Sequence, residues 1–287
     1  MARHPGRALV GTSGWLYPHW RGEFYPRGLP QKRELAHLAE RLPTVEVNGT
    51  FYSLTRPSTC DGWRASVPDG FIFAVKGSRF ITHMLKLRNF EQPLANFFSS
   101  GLLRLGSSLG PILWQLPPQL PFDPDRTRRF FEAVPRDIAA AERWARRHDR
   151  RTTGRAALRA PDGRDRSIRH AVEVRHPSWL EDAALSVLTA LDVALVAADT
   201  AGKYPLSLAR TASFAYVRLH GSTTLYASRY EDHELAEWAA RIRRWTGAGD
   251  DVYVYFDNDA RGHAPRDALR LQSAVTSPPS SAAVDAQ

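Results

Sequence analysis

Short runs rich in β-branched and aromatic residues alternate along the chain with segments whose apolar positions recur at helical spacing. Eight such runs stand out: Leu9 to Ser13, Thr44 to Asn48 continuing toward Phe51 and Tyr52, Phe71 to Lys76, Leu109 to Leu116, Ala171 to Arg175, Val193 to Ala197, Phe214 to Leu219 and Val252 to Phe256. Leu35, Leu38, Ala39 and Leu42 make one helical stripe, and Leu235, Trp238, Ala239, Ile242 and Trp245 make another. Asp123 before Pro124 predicts an N-cap and first turn of a helix reaching Val134. Further helices are predicted over Ala139 to Arg147, Ala183 to Leu191 and Pro265 to Leu271. Strand and helix in alternation predict a parallel sheet with helices packed outside. Eight units in 287 residues fit a single TIM (β/α)8 barrel over residues 1–272, followed by a disordered polar tail over 273–287. Gly11 to Trp15 lacks the glycine-rich turn that would open a doubly wound sheet.

Residues two apart on a strand share a face, and the helix-facing side of a barrel strand has to be apolar. Glu46, Asn48 and Thr50 therefore go together into the barrel, as do Glu173 with Arg175, and Tyr216 with Arg218 and His220. Lys76, Gln115 and Asp199 stand at the ends of strands three, four and six. These positions lie toward the C-terminal ends of the strands, where barrel active sites form. A buried charge needs a partner, so Glu46 and Glu173 call for Arg175, Arg218 and Lys76 nearby. The same residues would serve an internal ion network that fixes register, or a pocket with His220 as acid or base. Arg218 to Ser222, with Asn258 after the eighth strand, suggests anion binding; Asp257 and Asp259 beside Asn258 oppose an anion, and all three could instead cap turns and the last helix. Trp15, Tyr17, Trp20, Phe51, Tyr52, Trp114 and Trp179 crowd the same rim; core packing explains most of them, and a sugar or base could stack on one or two, such as Trp15 and Tyr52.

Other chemistries find little footing. Glu173, Asp199, His220 and Asp257 end strands five to eight, but no tight metal-ligand spacing supports them, and Arg175 and Arg218 would repel a cation. No cofactor is predicted, and a divalent metal at these positions is the disfavoured alternative. Cys60 has no adjacent histidine and reads as packed, not nucleophilic. No serine-nucleophile elbow or Walker loop is present.

Composition adds two facts. One cysteine excludes a disulfide-rich secreted class and points to a reducing, cytoplasmic compartment. No run is long enough to span a membrane, and no secretory leader precedes the first strand. The charge of +9 comes from arginine, since only four of the 39 basic residues are lysines. Much of it falls in an Arg-rich stretch, about 136–169, predicted as an insert before strand five. It reads as a solvated helix and an exposed loop over Thr152 to Asp165, or as a nucleic-acid footprint.

Seven motifs together resemble the YecE-like family, domain of unknown function 72. They are Gly11 to Trp15 (GTSGW), Glu46 to Tyr52 (EVNGTFY), Phe73 to Lys76 (FAVK), Trp114 to Pro117 (WQLP), Glu173 to Trp179 (EVRHPSW), Tyr216 to Gly221 (YVRLHG) and Tyr253 to Asn258 (YVYFDN). The resemblance runs from Gly11 to about Leu269 and implies a single TIM barrel, but no known reaction. Asp257 departs from it, standing where the family usually has the first of two asparagines.

The expectation that follows is an enzyme acting on a small polar, anionic metabolite. Glu173, His220 and Lys76 would carry the chemistry. Arg175, Arg218, Asn48, Gln115, Asn258, Trp15 and Tyr52 would bind the substrate. The alternatives are a nucleic-acid-associated protein or nuclease using the Arg-rich stretch, and a non-catalytic ligand-binding barrel.

Overall fold

A computed structural model describes residues 4–163 and 165–277. Nine strands form one sheet: β1 (Ala8–Ser13), β2 (Thr44–Val47), β3 (Ile72–Lys76), β4 (Leu109–Gln115), β5 (His170–Glu173), β6 (Val193–Leu195), β7 (Ala197–Asp199), β8 (Phe214–Leu219) and β9 (Asp251–Phe256). Their order is β6-β5-β4-β3-β2-β1-β9-β8-β7, and every pairing is parallel. The two ends of this order are separated in the chain only by Val196, so the sheet curls into a nearly closed barrel. The single sixth strand expected from the sequence is split. Its first half pairs with β5 and its second half with β8. The Thr211 hydroxyl causes the break: it takes the Leu195 N–H at 2.8 Å and donates to the Val193 carbonyl, so β8 has nothing to pair with there.

The helices are α1 (Glu34–Ala39), α2 (Gly49–Tyr52), α3 (Pro57–Ala65), α4 (Glu91–Ser99), α5 (Pro124–Ala133), α6 (Ile138–Ala145), α7 (Asp182–Ala190), α8 (Asp232–Gly247) and α9 (Ala264–Thr276). Asp123 caps α5 by accepting from the Arg126 N–H, and Glu231 with Glu234 forms a capping box at α8. Strand alternation divides the core in two. Val45, Val47, Phe73, Val75, Ile112, Trp114, Val217 and Val254 pack outward against the helices. Ile72, Ala74, Leu113, Ala171, Tyr216 and Tyr255 fill the barrel interior. The next inward positions of β3, β4, β5 and β8 are Lys76, Gln115, Glu173 and Arg218, which with Glu46 of β2 make one polar layer above an apolar one.

Three boundaries differ from the sequence reading. Strand two stops at Val47, and residues 49–52 turn into α2 instead of running on toward Tyr52. The Thr50 hydroxyl reaches the carbonyls of Val47 at 3.0 Å and Lys76 at 2.6 Å, which holds that turn against β3. The last helix continues through Thr276, past the boundary expected at 272; residues 278–287 of the expected tail lie outside the described residues. The loop expected to be exposed over Thr152 to Asp165 is tied down in part. Thr152 and Ala157 are buried against Ser99, and Asp162 pairs with Arg64 at 2.8 Å.

Gly77 follows the inward-facing Lys76 and donates to the Leu113 carbonyl at 2.8 Å. A Cβ there would lie 2.3 Å from the buried Trp114 ring. The neighbouring strand fixes the backbone, so the ring has to move. Gly77→Ala is expected to destabilise the fold by about 1–3 kcal/mol, read as a lowered urea midpoint.

Candidate active site at the barrel mouth

Arg218 is the hub. Its guanidinium, 1% exposed, projects inward from β8 and fills its donors with carboxylates. It reaches Glu46 of β2 through Nη2 at 2.8 Å and Nε at 3.1 Å. It also reaches Glu173 of β5 through Nη1 at 2.6 Å and Asp257 beyond β9 through Nη2 at 3.1 Å. One cation thus ties four strands together. Ser13 at the end of β1 accepts from Arg218 at 2.9 Å and donates to Glu46. Tyr216 donates to Glu46 at 2.6 Å, and Asn48 donates to the Ser13 hydroxyl at 2.8 Å.

His220 lies above this hub. Its Nδ1 is 3.0 Å from Asp257, and its Nε2 is 3.6 Å from Glu173 and 3.3 Å from an Arg218 nitrogen. Burial and Arg218 push its pKa down; Asp257 and Glu173 outweigh them, and it ends above the usual imidazole value. Burial alone would raise Glu173, but Arg218, His220 and Arg175 hold it well below the usual carboxylate range. The same contest, settled by Arg218 and His220, lowers Asp257.

Two cations close the site. Arg175 touches Glu173 at 3.2 Å, and its guanidinium lies 4.7 Å from the Tyr204 ring centre. Lys76 is 8% exposed and stands 4.5 Å from the centre of the Phe51 ring. His83 packs on the same ring at 5.1 Å. Burial, with Arg175 and Lys76, lowers His83 to about 4, so it is neutral at ordinary pH.

The structure brings Glu173, His220, Lys76, Arg175, Arg218 and Asn48 to one place. Gln115 points inward beside them with no hydrogen-bond partner among the described residues. Three other predicted residues fall elsewhere. Asn258 follows the inward Asp257 and so turns outward; it is buried, bonded to the Ser228 carbonyl and to Asp267. Trp15 packs edge-on against Trp63 and lines, with Tyr17 and Asn48, a cavity of about 280 Å³ on the other side of Asn48 from the network. Tyr52, 71% exposed, sits on the outside of α2. Trp20, Trp114 and Trp179 are core residues, not rim residues. Asp199 also turns away, accepting from Tyr230 at 3.0 Å. Among the described residues no group of three or more His, Cys, Asp or Glu is placed to hold a metal ion. Cys60 is buried, and burial pushes its thiol up to about 11.

Sequence reasoning missed Ser13, His83, Tyr204 and Tyr226. Ser13 carries the same period-two signal as Glu46 and could have been found. His83 lies in a π-helical turn, Phe80–Met84, followed by the left-handed residues Lys86, Leu87 and Asn89. No regular periodicity marks such a segment. Tyr226 is also left-handed and meets the His220 ring edge-on at 5.4 Å.

The arginine stretch is used largely as ties. Arg136 donates to carbonyls of Phe131, Leu191 and Asp192, Arg166 to Gly106, and Arg169 to Asp251 at 2.7 Å. Arg147 lies over Trp144 at 4.4 Å. No helix of the described residues is long and apolar enough to cross a membrane.

Residues 9–286 match the family described as "Protein of unknown function DUF72". The fold is shared with a DUF72 family protein of Thermotoga maritima, at 22% identity over 93% of this chain and 98% of that one, with a TM-score of 0.73. A DUF72 family protein of Enterococcus faecalis matches at 17% identity over 94% of this chain and 96% of that one, with a TM-score of 0.69. No curated protein matches the chain.

Proposed function

Because the chain belongs to the DUF72 family, whose description carries no reaction, its chemistry has to be read from the barrel mouth, and we propose a TIM-barrel enzyme that acts on a small anionic metabolite by acid–base chemistry. The observation that carries this reading is His220, held between Asp257 and Glu173 beside Arg175 and Lys76. Two carboxylates favour the protonated imidazole, which suits a proton donor oriented by Asp257 and Glu173. Glu173 stays ionised, which suits a base or a charged support and not a proton donor. Arg218 has its donors committed to carboxylates, so its part is to position Glu46, Glu173 and Asp257. Arg175 is half released: only one carboxylate engages it, and its planar fork suits a substrate carboxylate or phosphate. Gln115, on the strand next to Glu173, and Asn48, beyond β2, would add hydrogen bonds.

A second hollow, of about 590 Å³, opens between the loops after β8 and β9 and the start of α8; Arg229, His233, Arg261 and His263 line it together with Glu231 and Glu234. Barrel phosphate sites commonly form there. The nucleic-acid alternative draws less support, because many arginines of the 136–169 stretch spend their donors on the protein itself.

The test is calorimetric titration of the full chain with inorganic phosphate and with malate. At least one is expected to bind, and Arg175→Gln is expected to weaken it about tenfold, the effect of one charge-assisted hydrogen bond. Absence of binding by both, or an unchanged affinity in the variant, overturns the reading.

A further inference from the structure

Within the mouth every ionised carboxylate and both guanidinium groups have an ionic partner. Lys76 does not: among the described residues no carboxylate oxygen lies within 4.0 Å of its Nζ. Its neighbours are a Phe51 ring face and, across that ring, the neutral His83. Its backbone is fixed from both sides, by the Thr50 hydroxyl on its carbonyl and by Gly77 bonded to β4. The amine therefore stands at the mouth on a rigid strand, with no salt bridge to break before it reacts. The chain otherwise uses arginine almost throughout, with only four lysines, and an arginine cannot lose its proton.

Resting on the anionic-metabolite reading above, we propose that Lys76 is a nucleophile that forms an imine with a small ketone or aldehyde carrying an anionic group. The Nζ lone pair adds to the carbonyl carbon, and a C–N bond forms as the C–O π pair moves to oxygen. The two protons of the neutral amine leave with that oxygen as water, and C=N replaces C=O. No oxidant or reductant is required. Arg175 is the cation placed to hold the anionic group, and His220 the residue placed to shuttle protons. The groups facing the amine set its titration. Burial and Arg218 lower it to about 8, against the opposing pull of Glu46, Glu173 and Asp257. His83, already neutral, adds no charge at that pH. At pH 7.5 such an amine has roughly a hundredfold more free base than an ordinary lysine.

The experiment uses the full chain with sodium cyanoborohydride and either pyruvate or acetone, and maps reduced adducts by peptide mass spectrometry. Lys32, Lys86 and Lys203 serve as internal standards. With pyruvate at pH 7.5, Lys76 is expected to label on the order of a hundredfold faster than each of them. Its rate should level off above about pH 8. Arg175→Gln should slow labelling by pyruvate about tenfold and leave labelling by acetone unchanged. If neither ketone labels Lys76 ahead of the other lysines, the imine inference is wrong, whatever phosphate and malate show. If acetone labels it as well as pyruvate does, the amine chemistry stands and the anionic-substrate part fails.

Discussion

Replacing Arg218 by methionine is expected to cost about 3–5 kcal/mol of folding stability at pH 7, the usual loss when one partner of a buried ion pair is removed. The guanidinium meets three carboxylates, and Glu46 and Glu173 are fully buried. Methionine fills similar volume, so the loss comes from buried carboxylates left without a cation. The pH dependence gives a second readout. Glu173 and Asp257 are depressed in the wild-type fold. Their contribution is present above the ordinary carboxylate range and is lost as pH falls through their lowered values. In the variant the same groups shift upward and take up protons earlier, which relieves their penalty. The gap between the two proteins is therefore widest near neutrality and narrows in acid. Urea denaturation at pH 7 and pH 5 measures both. A loss under about 1 kcal/mol at pH 7 would mean that the network does not hold the strands together.

The fold was legible because strand alternation is a direct consequence of burial on two faces. Val45, Val47, Val172 and Val217 had to face helices, which left Glu46, Glu173 and Arg218 pointing inward, and the structure places them there. The same rule located Arg175 and Lys76. It failed where the backbone leaves the extended state. Strand two ends at Val47, so the count beyond it no longer assigns a face: Thr50 binds backbone and Tyr52 turns to solvent. Asn258 failed for the opposite reason. It is one step from the inward Asp257, so the strand period carries it outward, where it bonds the Ser228 carbonyl and Asp267. His83 carried no sequence signal, since its place on the Phe51 ring depends on a π-helical turn. The break in strand six was equally hidden, because it arises from a threonine sixteen residues later in the chain than the amide it satisfies.

Lys76→Met is expected to act in the opposite direction, raising stability at pH 7 by up to about 3 kcal/mol. Burial and Arg218 lower the folded-state value to about 8, whereas the unfolded chain titrates near the ordinary lysine value of about 10.4. Below pH 8 the amine is protonated in both states, and the fold bears the full penalty of the buried charge. Between pH 8 and about 10.4 the unfolded chain holds more protons, so wild-type stability rises with pH. Above that range the penalty is gone. The advantage of methionine should accordingly be complete at pH 7 and vanish by about pH 10.5. Other titrating groups are common to both proteins and cancel in the difference between their urea curves. A variant less stable than wild type at pH 7, or a difference that does not change with pH, would show that Lys76 is a stabilising member of the ion network. The contrast with Arg218 is what separates structure from chemistry here. A cation whose removal unfolds the barrel explains its own presence. One expected to weaken the fold, buried without a salt bridge in the mouth, is the kind of local conflict expected at a functional site.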